Sequence, residues 1–285
     1  ITDIGELQVI LFVLFLLICV TSLLGNFSII ALIRLKSQLH TLMYFFLCHL
    51  SLVDLGNSSA VAPKMVVSFE ERKAISLPGC AAQRYFCGVC IITECYLLAV
   101  MAYDQHVVIC NPLLYVATMS QTVCVQLAAG SYVVATVNCQ LSLQFCGPNV
   151  INHFFCDIPP LLKFSCSSAA VNKHVLFTVA TFIALSSLVF TVVSYGYILT
   201  TILRICSSEG RHKPFSACAS HLTSVSVFYR TMTFLYLRCS SSYSLDQDKV
   251  VSVLYTLVIP MLNPLIYSLK NMEVKDALKR LPEKV

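Results

Sequence analysis

Long stretches without a charged side chain, separated by short charged clusters, dominate this sequence. No Asp, Glu, Lys or Arg occurs between Glu6 and Arg34, between Lys173 and Arg204, or between Lys249 and Lys270. The interval from Asp104 to Asp157 is also free of them, long enough for one crossing and a long loop. Three further windows carry one charge each: 37–63 around Asp54, 85–103 around Glu94 and 214–237 around Arg230. A helix crossing hydrocarbon needs ~20 mostly apolar residues. The pattern therefore predicts seven spans, at about 7–33, 41–67, 80–108, 122–141, 174–203, 214–237 and 249–269. Each must be helical, because lipid offers backbone N–H and C=O groups no other partner. The short alternating segments of a β-barrel are absent. The fold class so read is an all-α membrane protein, a seven-transmembrane helix bundle in one domain over 1–285. Residues 270–281, with Lys275, Lys279 and Arg280, read as a short amphipathic helix on the cytoplasmic leaflet.

Composition agrees: 57% of residues are hydrophobic and 12% charged, with a mean hydropathy of +0.79, unlike a soluble domain. The distribution of Lys and Arg orients the bundle. One set of connections holds Arg34, Lys36, Arg204, Arg211 and Lys213, with Lys270, Lys275, Lys279, Arg280 and Lys284 in the tail. The other holds Arg72, Lys73, Lys163, Lys173, Arg238 and Lys249, offset by Glu70, Glu71, Asp157, Asp246 and Asp248. The first set is cytoplasmic by the positive-inside rule, which places the N-terminus outside. The net charge of +5 is mostly this asymmetry and does not point to nucleic acid. The chain opens at Ile1 without Met, and an incomplete N-terminus is expected.

Candidate chemistry lies inside the spans. A carboxylate in hydrocarbon is costly and marks function. Asp54 reads either as a structural acid held by Ser, Thr or Asn neighbours or as a cation or proton site that differs between two states. Helical spacing puts Cys80, Arg84, Cys87, Ile91, Glu94, Leu98, Met101 and Gln105 on one stripe. That stripe links an outer cysteine, a buried acid and the polar end Asp104-Gln105-His106. Arg230 must snorkel, face a wet cavity or find an acid. Gly25 reads as a close-packing site and Asn26 as an inward-facing polar group. Pro214 is placed at the start of span 6, after a short basic inner loop Arg204–Lys213. Pro260 and Pro264 predict a kink in span 7.

Of the 15 cysteines, Cys19, Cys48, Cys87, Cys90 and Cys95 in the spans read as small apolar fillers. Cys80, Cys146, Cys156 and Cys166 occupy outer positions suited to oxidation, and four cysteines allow three connectivities. The spacings lack a Cys-x-x-Cys zinc pattern. No Gly-rich phosphate loop, His-Glu-x-x-His or Gly-x-Ser-x-Gly occurs, so an enzyme is not expected. A seven-helix ion transporter using Asp54 and Glu94 would call for repeated halves, and no repeat is visible.

Motifs dispersed over nearly the whole chain carry a family resemblance. They are Gly25-Asn26, MYFFLCHLSLVD at 43–54, PKM at 63–65, MAYD at 101–104, ICNPLLY at 109–115, FFCD at 154–157, Ser194-Tyr195, FSACASHL at 215–222 and PMLNPLIYSLKN at 260–271. Together they resemble a tetrapod-type (class II) olfactory receptor, a subgroup of the rhodopsin-like G-protein-coupled receptors. The resemblance implies a receptor that binds small volatile odorants and activates a stimulatory heterotrimeric G protein of the cAMP pathway. It also implies multi-pass residence in the plasma membrane, with olfactory neuron cilia expected. No cofactor is required, and sodium is implied as an allosteric ion.

Residue by residue, the resemblance places disulfides at Cys80–Cys156 and Cys146–Cys166. It places the sodium-linked acid at Asp54, an acid characteristic of these receptors at Glu94, and Asn26 and Asn263 in one polar network with them. Two carboxylates that close do not both ionise without a cation or a shared proton. The odorant cavity, between spans 3, 5, 6 and 7, projects onto Cys87, Gly88, Ile91, Ile92, Ala180, Ile183, Tyr229, Met232, Thr233, Tyr236 and Thr256. Switch and coupling positions fall on Asp104, Gln105, His106, Tyr195, His221 and Tyr267. The chain departs from the family pattern at four motifs. Gln105-His106 replaces Arg-Tyr after the Asp, Leu42 stands where a Pro precedes MYFFL, Arg230 where a Gly follows Phe-Tyr, and Pro214 where Ala is usual. Gln105 carries no charge and cannot make the ion pair of the usual Arg. A second reading is accordingly a decayed or non-coupling relative with the same fold.

Overall fold

The uncharged stretches become helices that run past their apolar windows. The computed structural model describes residues 4–69, 75–141, 150–151, 169–204, 208–238, 245–271 and 274–276. Its long helices are α1 (Ile4–Leu35), α2 (Leu42–Phe69), α3 (Leu77–Cys110), α4 (Gln121–Leu141), α5 (Ala169–Arg204), α6 (Ser208–Arg238) and α7 (Leu245–Lys270). Short 3-10 turns at Ser37–Leu39 and Pro112–Leu114 and a helical turn at Tyr115–Thr118 fill the connections from α1 to α2 and from α3 to α4. The described residues also include a two-residue antiparallel pair, β1 (Ile75–Ser76) with β2 (Val150–Ile151), and helix at 274–276. Five of the helices hold runs long and apolar enough to cross a membrane: Phe12–Leu35, Leu42–Ala62, Ala81–Cys110, Gln121–Gln140 and Thr178–Arg204. Among the described residues of α7, Leu257–Leu269 are an apolar stretch.

Local chemistry explains the ends. Pro112 lacks the N–H that would continue α3 and disfavours helix at Asn111, which turns to an extended φ of −136°. Ser120 caps α4, its hydroxyl accepting from the Val123 N–H at 3.3 Å. Asn271 ends α7, and its side-chain oxygen accepts from the Val274 N–H at 3.4 Å and from the Tyr44 hydroxyl at 3.3 Å. Beyond Asp276 the expected amphipathic helix lies outside the described residues. At α6 the sequence reading needs correction. Helix begins at Ser208, so 208–213 are helical rather than loop, and Pro214 sits inside the helix rather than at its start. Charged residues mark where a helix leaves the apolar layer, not where it begins.

α3 is the central helix, packed against α2, α4, α5 and α6, while α1 and α7 close the bundle against α2. Its residues Leu97, Leu98, Met101 and Ala102 are fully buried. The α1–α7 contact rests on two prolines. Pro264 has no N–H, so the Pro260 carbonyl has no i+4 donor. Asn26 Nδ2 supplies one at 2.8 Å. The same approach leaves no room at Gly25, where a Cβ would lie 2.9 Å from Pro264 Cγ. Gly25 is thus the close-packing glycine its sequence position predicts. Replacing it by Val should cost about 1–3 kcal/mol by overpacking. Gly130→Ala, where a Cβ meets nothing within 4 Å, should be neutral or gain up to about 1 kcal/mol. Thermal unfolding of both detergent-solubilised variants checks this, and equal melting temperatures would refute the α1–α7 contact.

Candidate functional site

Four helices converge on one carboxamide. Asn263 of α7 donates from Nδ2 to Asp54 Oδ2 of α2 at 2.9 Å and to Glu94 Oε1 of α3 at 3.1 Å. Its Oδ1 accepts from the Ser224 hydroxyl of α6 at 2.8 Å. All four residues are buried, Asp54 completely. The predicted Asp54–Glu94–Asn263 cluster therefore forms. Asn26 does not join it: its Nδ2 is taken by the carbonyls of Ser22 and Pro260. Asp54 Oδ1 is buried without a hydrogen-bond partner. Two carboxylates bridged by one neutral amide, away from water, require a shared proton or a cation to balance them. The donor set is all oxygen, which suits a hard monovalent ion better than a transition metal. Among the described residues no group of three or more His, Cys, Asp or Glu side chains gathers as a metal site.

Cys95 points elsewhere, because successive helical residues project about 100° apart. Its Sγ lies 2.8 Å from Ser187 Oγ of α5 and 3.5 Å from the Tyr229 hydroxyl of α6. Ser187 and Tyr229 meet at 2.6 Å. Ser187 also donates back to the Ile183 carbonyl at 2.8 Å. Its oxygen is then the acceptor for Tyr229. This corrects the reading of Cys95 as an apolar filler. Sequence spacing carried one clue: Ser187 lies eight residues before Tyr195, on the same face of α5.

The projected cavity residues divide. Ile183 is buried, and Ile91, Ile92 and Met232 are partly buried against the same core as Cys95 and Tyr229; Ala180 is half-buried nearby on α5. Cys87 instead packs with Phe15, Cys19, Val61 and Leu257, on the α1–α2–α7 side. Gly88 faces α4, where a Cβ would sit 2.8 Å from Cys139 Sγ. Thr233 is exposed, in line with exposed Leu222, Ser226 and Arg230 and away from the core face of α6. The side chains of Tyr236 and Thr256 lie outside the described residues, as do Cys80's side chain and Cys146, Cys156 and Cys166, so neither disulfide is described.

At the C-terminal end of α3, Asp104, Gln105 and His106 fan out to three neighbours. Asp104, 1% exposed, accepts from the Tyr115 hydroxyl at 3.0 Å. Burial and the adjacent carboxylate push the Tyr115 phenol above its ordinary pKa, so it stays a neutral donor. Gln105 Oε1 accepts from the Tyr195 hydroxyl at 2.6 Å, and its Nε2 approaches Met43 Sδ at 3.8 Å. Tyr195 is also 2.7 Å from His221 Nδ1. With the phenol proton given to Gln105, Nδ1–H of His221 is the donor, and Nε2 is left buried without a partner. His106 stacks edge-on against Tyr197, ring centroids 5.6 Å apart. Gln105, Tyr195 and His221 thus meet in one place, whereas Tyr267 is buried at the same end but shares none of these bonds. Tyr115, which pairs with Asp104, was visible in the sequence only as the last residue of the ICNPLLY motif.

Comparison with known proteins supplies the family. A family profile described as olfactory receptor matches residues 15–284. The mouse olfactory receptor 5AR1 is 53% identical over 288 residues, spanning 99% of this chain and 93% of its own length. The human protein of the same name is 50% identical over 288 residues, with the same coverage of 99% and 93%. The mouse olfactory receptor 5G26 is 52% identical over 286 residues, 98% of this chain and 90% of its own. A helical bundle with membrane-crossing apolar runs, a profile match over almost its full length and relatives at this identity place the chain in one family: it belongs to the olfactory receptors, a branch of the G-protein-coupled receptors.

Proposed function

We propose that all of α1 to α7 cross the plasma membrane, with the N-terminus outside, and that the receptor resides in olfactory neuron cilia. It binds small volatile odorants between α3, α5, α6 and α7 and activates a stimulatory heterotrimeric G protein. One observation carries this reading. α3 is tied to α5 and α6 by neutral hydrogen bonds at two levels, through Cys95 to Ser187 and Tyr229 and again through Gln105 to Tyr195 and His221. An odorant seated on Ile91, Ile92, Ile183 and Met232 that re-packs Tyr229 shifts the same helix pair that closes over Gln105. Moving α6 outward breaks the Tyr195–His221 bond and leaves Tyr195 on Gln105. Leu113, 97% exposed in the inner turn next to Leu114 and Val116, offers the apolar contact a partner protein needs.

The polar centre fits the same reading. Asp54 and Glu94 would hold a sodium ion through their carboxylate oxygens, its charge offsetting their repulsion, with Asn263 bridging the two acids beside it. The family disulfides at Cys80–Cys156 and Cys146–Cys166 would brace the outer loops. Val274 buried beside exposed Lys275 and Asp276 supports the amphipathic segment on the inner leaflet. Gln105 already holds Tyr195, which favours a competent receptor over the non-coupling alternative.

The deciding experiment is a cAMP response to an odorant panel, with surface expression measured alongside, for the native chain and Gln105→Arg. The native chain should respond within a few-fold of the revertant. A silent native chain beside a responsive revertant at equal expression would select the non-coupling reading. Tyr195→Phe leaves Gln105 Oε1 and His221 Nδ1 buried and unpaired, and should cost about 1–3 kcal/mol for each group. Adding Gln105→Leu should recover part of that loss in thermal unfolding. Ser187→Ala, which frees Tyr229, should move half-maximal odorant concentrations by about tenfold, the worth of one hydrogen bond, at unchanged expression. Unmoved dose curves would place the ligand elsewhere.

A further inference from the structure

Arg230 takes part in neither cluster. It lies four and eight residues beyond Ser226 and Leu222 and three before Thr233, and all four are exposed. The core-facing residues of α6, Ser224, Val225, Phe228 and Tyr229, occupy the opposite side. The guanidinium therefore leaves the helix on its outward face, flanked one turn below and one above by hydroxyls. Thr223 and Thr231 donate back to their own helix at 2.7 Å each, but Ser226 and Thr233 make no such bond among the described residues.

Depth decides what this group can meet. At 1.5 Å per residue, Arg230 is about 9 Å outward of Ser224, which marks the carboxylate level, and about 12 Å short of the outer end of α6. That is farther than an extended arginine reaches. The Cα–Cβ bonds of α6 also lean toward its cytoplasmic N-terminus, away from the outer headgroups. An anion must therefore come to the guanidinium. Among the described residues, the carboxylates within helices α2 and α3, Asp54, Glu94 and Asp104, do not qualify, being 0%, 3% and 1% exposed inside the bundle, and they are equally hidden from a second copy packed on this face.

We propose that Arg230, with the hydroxyls of Ser226 and Thr233, binds the phosphate of an outer-leaflet phospholipid whose acyl chains run down past Leu222. The proposal rests on the reading of α6 as a membrane span. The charge selects an anion, the lipid-facing position selects an amphiphile, and the guanidinium fork with two hydroxyls fits phosphate oxygens.

The test uses the full chain in alkyl maltoside micelles, with native mass spectrometry during titration of three lipids bearing the same acyl chains: phosphatidylcholine, phosphatidylglycerol and a neutral galactolipid. Arg230→Leu should bind both phospholipids about fivefold more weakly than the native chain, with galactolipid binding unchanged. Ser226→Ala/Thr233→Val, which keeps shape and charge, should weaken them in the same direction. Equal phospholipid affinities for native and Arg230→Leu would overturn the proposal. So would loss of a dimer in Arg230→Leu without any change in lipid binding, which would make the occupant a second copy. Epitope tags inserted at 206 and 241 report separately on the span: tags on one side of the membrane would remove the span reading itself.

Discussion

The Asn263 carboxamide is the constraint on which the bundle depends. Its two N–H groups and one oxygen join α2, α3 and α6 to α7 through Asp54, Glu94 and Ser224. Nothing else of that size could face two carboxylates and a hydroxyl at once. A carboxylate would add a third negative charge, a lysine has no acceptor for Ser224, and an apolar side chain would strand both acids. The position of Asn263 depends in turn on α7 keeping its course through two prolines. That course is held from α1, where Asn26 fills the carbonyl freed by Pro264 and Gly25 lets the ring approach. A polar centre and a backbone defect one turn apart therefore support each other.

α3 distributes these contacts because adjacent residues on a helix face different neighbours. Glu94 turns to α7 and Cys95 to α5 and α6. Ten residues on, Asp104 turns to the inner loop and Gln105 to α5. Among the described residues the hydrogen bonds from α3 toward α5 and α6 are all neutral, made by thiols, aliphatic hydroxyls, phenols, an amide and an imidazole. Charge is kept on the α2–α7 side. That separation lets α5 and α6 move relative to α3 without uncovering a buried ion, which would cost several kcal/mol.

Much of this was legible in the sequence, for identifiable reasons. The uncharged windows predicted each long helix, since lipid solvation is a property of composition. Most of the described stripe on α3 is buried, Cys87, Glu94, Leu98, Met101 and Gln105, while Arg84 and Ile91 are half-buried. What could not be read was which neighbour a buried group would choose. Asn26 was expected with the acids and went to Pro260, because an orphan carbonyl is created by a proline four residues away and not by any charge. Cys95 looked like filler because a thiol's neighbours lie 92 and 134 residues off along the chain. Gly88 and Cys87 were assigned to the cavity by resemblance, yet Gly88 turns its missing side chain to α4 and Cys87 packs toward α1, α2 and α7. The start of α6 was missed because basic residues are good helix formers once outside the apolar layer.

The replacement of arginine by Gln105 changes the scale of the inner closure more than its layout. A neutral hydrogen bond contributes about 0.5–1.5 kcal/mol net. On the opening proposed above only the Tyr195–His221 bond is lost, so it biases the closed arrangement by about 0.5–1.5 kcal/mol, a ratio between about 2 and 12 to one at 1.4 kcal/mol per decade. On the mechanism proposed above, a ligand would need a preference of similar size for the open arrangement to reverse it, which a small apolar molecule gaining a few methylene contacts would supply. Phenol–amide and phenol–imidazole bonds carry no net charge for salt to screen. Gln105 thus leaves a closure that is modest, independent of ionic strength and set almost wholly by how tightly Tyr195 is packed between α3 and α6.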